Sequence, residues 1–403
     1  MELRDASLFM GLLQGQEPTI VEGDNILSDP FSITSAKVVR TIHPIGQGAF
    51  YSERFIDNKG NTLFLAVYDC GSQNKKKLNL EIANYFQEGD IIDILFISHL
   101  DLDHVSGLQK LLECKVSVKH LVLPLMDNNT KELYLLATKG ILKQLVQDPT
   151  SLFKGSKVIY VKPVGEDDEI KDSFELRGDN QGVEVIPSGC KLSYCNYSAI
   201  WCYIPYNYEY ASRIDVLLQN LGRGKIDVKD IVDADSRKEI KEKYAEICSK
   251  GVNNTSLVVY SGGHSDGIKY ETIFFSARPG DKSITEGSLY LGDISLNQEN
   301  GDMSLIDDLR KRLNFVRDHI GLIQLPHHGS KDNFNTKLFS IGVPTKVFFA
   351  SYGNTNSYGH PSPRVWEDVG SHGMLCCGVD ENRCNTLTHV LAITSNKITQ
   401  NYK

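Results

Sequence analysis

The chain has 403 residues, 41% of them apolar and 23% charged, and a formal charge of −8. That length allows two average domains or one large α/β unit with insertions, and the apolar share is ample for a core. The negative balance excludes a general nucleic-acid coat but not an enzyme acting on phosphates, because divalent cations and a local basic groove can reverse the sign where phosphate sits.

Residues 1–36 show no clear periodicity and are read as an N-terminal extension, with one domain expected over 37–403. Its opening, MELRDASLFMGLLQGQEP, is charged where a signal peptide would be apolar, and no stretch has the length of a membrane span, so no membrane role is expected. From Lys37 the pattern turns β, with KVVRTIHPIG and NTLFLAVYDCG and, before the latter, Asp57-Asn58-Lys59-Gly60-Asn61 as a hairpin turn. A helix carrying Leu78, Leu80, Ile82, Tyr85 and Phe86 follows, then the strand DIIDILFIS. Further on, GLQKLLECK predicts a short helix, HLVLP a strand, 131–147 a helix and KVIYVKP a strand. Residues 165–250 are less regular, opening acidic at Glu166, Asp167, Asp168 and Glu169 and ending in a charged helix, and are read as an insertion between two halves. Strands resume with TSLVVYSGG, TIFFSA and SLYLGDI, followed by a helix at 303–319 and the strands GLIQLP and KVFFASYG. Short apolar strands alternating with amphipathic helices indicate a layered α/β fold.

The densest chemistry is SHLDLDHVSGL, from Ser98 to Leu108, delivered by an uninterrupted apolar strand. His99, Asp101, Asp103 and His104 fall within six residues, enough imidazole and carboxylate to surround two cations. Asp69 ends LFLAVYD, Asp293 ends SLYLGD, His327 and His328 follow GLIQLP, and His360 lies in SYGHPSP. Ligands at the ends of rigid strands hold their geometry, as a catalytic metal pair requires. Carboxylate-rich N/O ligation without thiolate suits two divalent ions, Zn or Mn. Such a pair activates water to hydroxide near neutral pH and binds charge developing on a phosphoryl or carbonyl oxygen, so the reaction expected is hydrolysis.

Six motifs in this order, IGQGAF (45–50), YDCGS (68–72), SHLDLDH (98–104), NNTSLVV (253–259) with YLGDI (290–294), LPHHGS (325–330) and SYGNTNSYGHPSP (351–363), span roughly residues 37–395. The set resembles the metallo-β-lactamase fold superfamily. Within it the chain looks like the branch of the ComEC competence-protein hydrolase domain and the teichoic-acid phosphorylcholine esterases. The resemblance implies an αββα four-layer sandwich with an elaborated insertion. It implies one metal on His99, Asp101 and bridging Asp293, and another on Asp103, His104, Asp293 and one of His327 or His328. Asp69 would orient ligands through hydrogen bonds. Asp101 stands where the commonest superfamily motif has a histidine. Asn254 and Ser256 occupy the region that normally supplies another. Asp103 belongs to the catalytic set, and His360 and His328 are the candidates for proton donor or phosphate contact.

The function expected is a metal-dependent phosphodiesterase or nuclease, with DNA or RNA as substrate, a role that suits a defence-system effector. The alternatives are a small-molecule hydrolase for a phosphocholine-type ester, cyclic nucleotide or lactone, and a subunit inactive without a partner protein. Nine cysteines, an odd number, read as reduced thiols of a cytoplasmic protein. Cys190, Cys195 and Cys202, and Cys376, Cys377 and Cys384 with His372 or His389, lack paired zinc-site spacing and read as ordinary thiols. The tyrosines of WCYIPYNYEY read as core rather than a base-stacking platform. Arg310, Lys311, Arg312 and Arg317, and the lysines of GSQNKKK, read as solvated helix positions, with phosphate contact as the alternative. His264, in SGGHSDG, is assigned to a hairpin turn.

Overall fold

Alternation along each strand sorts side chains onto two faces. In Thr62–Ser72, Phe64, Ala66 and Tyr68 enter a core between two sheets, whereas Leu65 and Val67 face helices on the outside. The computed structural model describes residues 35–395, apart from short breaks within 127–138, 166–172, 177–180, 195–199, 209–212, 265–267, 301–302 and 344–345 and much of 223–255. Asn254 and Cys195 lie outside the described residues.

The first sheet has nine strands, in the order Ile268–Phe275, Leu387–Ser395, Ser35–Ile42, Gly48–Ile56, Thr62–Ser72, Ile91–Phe96, Ser117–Pro124, Lys157–Val161 and Gly182–Ile186. Neighbours are antiparallel up to Thr62–Ser72 and parallel beyond it. The second has eight, in the order Leu375–Val379, Val347–Ser351, Ile320–Gln324, Gly287–Tyr290, Leu257–Gly262, Cys202–Asn207, Lys191–Tyr194 and Ser173–Leu176. Helices Lys75–Tyr85, Leu108–Glu113 and Ile141–Gln147 bury Leu78, Ile82, Leu111 and Leu145 on the outer face of the first sheet. Helices Leu305–Arg312 and Pro363–Ser371 bury Leu309 and Val369 on the outer face of the second. The layers therefore run helix, sheet, sheet, helix.

Several local readings change. Leu80 is 52% exposed, because a residue two positions from Leu78 and from Ile82 points away from the face they share. Residues 173–207 are woven into both sheets, Gly182–Ile186 at the edge of one and Ser173–Leu176, Lys191–Tyr194 and Cys202–Asn207 in the other. The segment 303–319 breaks into an α-helix, Leu305–Arg312, and a 3-10 turn, Asn314–His319. The strands on either side of SGGHSDG, Leu257–Gly262 and Ile268–Phe275, belong to different sheets and do not pair as a hairpin. Trp201, Tyr203, Tyr206 and Tyr208 are buried. Among the described residues no helix is long and apolar enough to cross a membrane.

Candidate metal centre

Parallel strands Thr62–Ser72 and Ile91–Phe96 run in register through Tyr68 and Phe96, so Asp69 and Ser98 emerge side by side at one sheet edge. The Asp69 carboxylate accepts from Ser98 N (2.7 Å), Ser98 Oγ (2.6 Å) and His104 Nδ1 (2.7 Å). Because a carboxylate only accepts, His104 carries its proton on Nδ1 and turns Nε2 into the site. Asp101 precedes the single-turn helix Leu102–Val105, which places Asp103 and His104 within one turn. His99 Nδ1 lies 2.9 Å from Ser98 Oγ and 3.3 Å from Ser256 Oγ, leaving its Nε2 3.7 Å from Asp293 and 3.8 Å from Asp101.

The second sheet supplies the rest from the corresponding edge. Asp293 follows Gly292, whose φ of +55° and 2.5 Å approach of a built Cβ to Ser256 Oγ leave room only for glycine. Asp293 N donates to Ser256 Oγ, and Gln324 Oε1 accepts from both Leu291 N and Gly292 N. His327 and His328 both adopt left-handed backbone, with φ of 47° and 57°, a conformation unusual for residues other than glycine. His328 donates from Nδ1 to Ser351 O at 2.9 Å, and its Nε2 stands 3.6 Å from Asp103 and 3.8 Å from Asp293. His327 Nε2 lies 3.6 Å from the other Asp293 oxygen, while its Nδ1 meets Asn333 Oδ1. His360 sits at the mouth, its ring centre 5.3 Å from that of His327.

The structure thus brings His99, Asp101, Asp103, His104, Asp293, His327 and His328 around one point, with Asp69 and Ser256 behind them. It does not bring the Arg310–Arg317 patch there, since those residues precede the second-sheet strand Ile320–Gln324 whereas His327 follows it. Ser98, Gln324, Asn333 and Ser351 are supporting residues that the sequence reading missed. Gln73 is another, donating from Nε2 to Asp103 at 3.3 Å. Ser351 acts through its carbonyl oxygen, which leaves no mark in the sequence.

Charge and burial make the centre electrostatically unusual. Burial opposes ionisation of Asp293, yet His104, His327 and His328 hold its carboxyl well below the usual carboxylate range. Asp103 is held low against burial by His328 and His104. Burial also opposes protonation of His104, but Asp293 and Asp69 raise it well above an ordinary histidine. His360 is lowered to about 4, by burial first and then by His327 and His328.

A divalent cation fits these residues. His99 Nε2, His104 Nε2, His328 Nε2 and Asp293 Oδ1 are all buried without a hydrogen bond, His104 Nε2 and Asp293 Oδ1 standing 3.2 Å apart, and leaving such a group unmet costs about 1–3 kcal/mol. Two triads, His99/His104/Asp293 and Asp103/His104/His328, have ligand atoms within 4.8 Å of one another. Nitrogen and oxygen donors of this kind suit zinc or manganese equally.

Residues 55–199 match the family model described as the Metallo-beta-lactamase superfamily, a match that includes the His99–His104 loop. The two multi-strand sheets with helices outside are consistent with the metallo-beta-lactamase sandwich fold. Solved structures with similarity include unliganded yeast PDE1, at 11% identity and a TM-score of 0.42, covering 88% of this chain and 99% of that one. The metallo-beta-lactamase fold protein YhfI from Bacillus subtilis is 9% identical at a TM-score of 0.37, covering 86% and 98%. A long form RNase Z from yeast is 9% identical at 0.35, covering 79% of this chain and 36% of that one. No curated protein matches the chain in sequence.

Proposed function

We propose that this chain is a metal-dependent phosphodiesterase that hydrolyses nucleic acid, in the branch of the ComEC hydrolase domain and the phosphorylcholine esterases. The observation that carries the hydrolase reading is the convergence of four buried atoms without a hydrogen bond, His99 Nε2, His104 Nε2, His328 Nε2 and Asp293 Oδ1. His99, Asp101 and Asp293 would hold one cation and Asp103, His104, Asp293 and His328 the other, with His327 flanking Asp293. When bound, divalent cations supply positive charge to a developing oxyanion and lower the pKa of water.

The chain's own groups do the positioning. Asp69, Ser98 and Ser256 fix the two imidazoles of the SHLDLDH loop, and the Ser351 carbonyl fixes His328. His360, neutral at pH 7 with its pKa near 4, suits an N–H donor to a phosphoryl oxygen better than a source of a spare proton. Cations stand near both sides of the centre. Lys75, Lys76 and Lys77 open the helix just after Gln73, which itself holds Asp103. Lys331 and Arg364 line an open cleft of about 410 Å³ beside the His327–His328 loop. Asp332 and Asp368 line the same cleft and balance its two cations, so the lysines after Gln73 are the cationic group that favours a phosphate polymer over a neutral ester or lactone.

The test is hydrolysis of single- and double-stranded DNA and of RNA with Mn²⁺ or Zn²⁺ supplied, comparing the parent with Asp103→Ala/His104→Ala. Cleavage by the parent alone supports the reading. An inert parent carrying two metals by elemental analysis overturns the free-standing nuclease and turns attention to a small substrate or a partner protein.

A further inference from the structure

At the end of the second sheet opposite the metal centre, helix Leu305–Arg312, the 3-10 turn Asn314–His319 and the turn at Ser340–Gly342 enclose a cleft of about 430 Å³. We propose that this cleft is a binding site for a small multivalent anion carrying phosphate groups, separate from the metal centre.

The cleft carries more positive than negative charge, Arg310, Lys311 and Arg317 against Asp307. The helix has two carboxylates, and both are taken: Asp307 pairs with Arg310 and Lys337, and Asp308 with Arg312. Lys311 and Arg317, which line the cleft, have no ion pair among the described residues. A third cation, Lys346, feels the charge of Arg317. Lys346 is 3% exposed, and its Nζ donates to the Val343 carbonyl. Burial, and then Arg317, pull its pKa down to about 8. Crowding like charges without a counter-ion is unfavourable, and a bound anion relieves it.

The walls are fixed. A Cβ on Gly342 would come within 2.5 Å of the Ile320 carbonyl, so the turn lies tight against the strand that bears the site histidines at its other end. That five-residue strand separates cleft and metal centre by roughly 16 Å, too far for one phosphate to serve both. A volume of about 430 Å³ falls in the range of small-molecule sites. On a chain with a formal charge of −8, a compact anion avoids the repulsion that an extended polymer meets beyond the cleft.

The experiment titrates inorganic pyrophosphate into the full chain by calorimetry after chelation, so that metal-bound phosphate does not contribute. Saturable binding is expected in the parent and in His104→Ala alike. Lys311→Ala/Arg317→Ala should weaken it by about tenfold or more, since each change removes a charge-assisted hydrogen bond. A thermal melt checks the fold, and if the double variant melts early the single Arg317→Gln carries the comparison. No pyrophosphate binding by the parent, or equal binding by the cleft variants, overturns the proposal. So does a single-stranded oligonucleotide whose binding depends on Lys311 and Arg317 when pyrophosphate binds nowhere.

Discussion

His104 donates from Nδ1 to Asp69 Oδ2 at 2.7 Å in a part of the core where neither side chain meets solvent. This contact decides which imidazole nitrogen faces the centre. Asp69 has a φ of 55°, which asparagine tolerates, so Asp69→Asn tests the charge without disturbing the backbone. With an amide NH₂ in place of Oδ2, the imidazole is driven to carry its proton on Nε2, where the lone pair is needed. Metal affinity should fall roughly 10–100-fold, read by competition with a chromogenic chelator. An unchanged affinity would remove Asp69 from the design of the site.

The two adjacent histidines make unequal contacts and should behave unequally. His328 is buried and faces both Asp103 and Asp293, whereas His327 is 19% exposed and approaches Asp293 alone. On the proposed assignment His328 is a direct ligand, whose loss should cost at least as much as that of an outer partner, so His328→Ala is expected to bind metal about 100-fold more weakly. It should also retain fewer metal ions per chain after dialysis. His327→Ala should lose less on both counts. The reverse ranking by elemental analysis would exchange their roles.

Gly71 marks where the first sheet touches the ligand loop. A Cβ there would stand 2.3 Å from the His104 carbonyl carbon and 2.4 Å from its nitrogen, both rigid backbone atoms. Gly71→Ala should therefore displace Asp103 and His104, with metal binding lost and stability down by about 1–3 kcal/mol. Gly370 lies in a helix with nothing near its Cβ position, so when both variants are unfolded in urea Gly370→Ala should be neutral or slightly stabilising.

What the sequence made legible follows from what is local. The candidate site residues sit where apolar strands end, so strand and loop could be read together around Asp69, His99 and Asp293. The supports could not: Ser351 serves His328 through backbone, and Gln324 braces Leu291 and Gly292 from a neighbouring strand. Gly182–Ile186 was missed because an edge strand buries only Ile186, which leaves no alternating pattern to find. Leu305, Leu309, Leu313 and Val316 keep helical spacing across the change to 3-10, so periodicity ran past the break. That Leu257–Gly262 and Ile268–Phe275 join different sheets could not be read from SGGHSDG, because turn composition carries no information on sheet membership.

Between the sheets, Glu53 accepts from Arg40 Nε (2.8 Å), Tyr290 OH (2.7 Å), Tyr203 OH (3.1 Å) and Ser261 Oγ (2.6 Å). Glu53→Ala leaves the fully buried Arg40 guanidinium without its carboxylate, a change expected to cost about 3–5 kcal/mol in urea denaturation. Glu53→Gln, which keeps acceptor capacity at one oxygen, should cost less. Equal losses would mean that volume, not charge, is what Glu53 contributes.

The same network gives the fold a pH dependence with a definite sign. Arg40 NH1 donates to His389 Nδ1 at 3.3 Å, so the imidazole proton is on Nε2, 2.8 Å from Thr272 Oγ1. Burial, and then Arg40, hold His389 well below the ordinary value of 6.5. The unfolded chain therefore binds a proton that the folded one refuses. This contribution to stability is complete above about pH 6.5 and is lost as pH falls toward the folded pKa, at about 1.4 kcal/mol per unit. His389→Gln can accept from Arg40 and donate to Thr272 without titrating. Between pH 7.5 and 5.5 the parent should lose about 1.4 kcal/mol more than this variant in urea midpoint experiments, whatever the other histidines contribute to both. Parallel pH profiles would show that His389 takes up its proton equally in the folded and unfolded chain, so that burial and Arg40 do not hold it low.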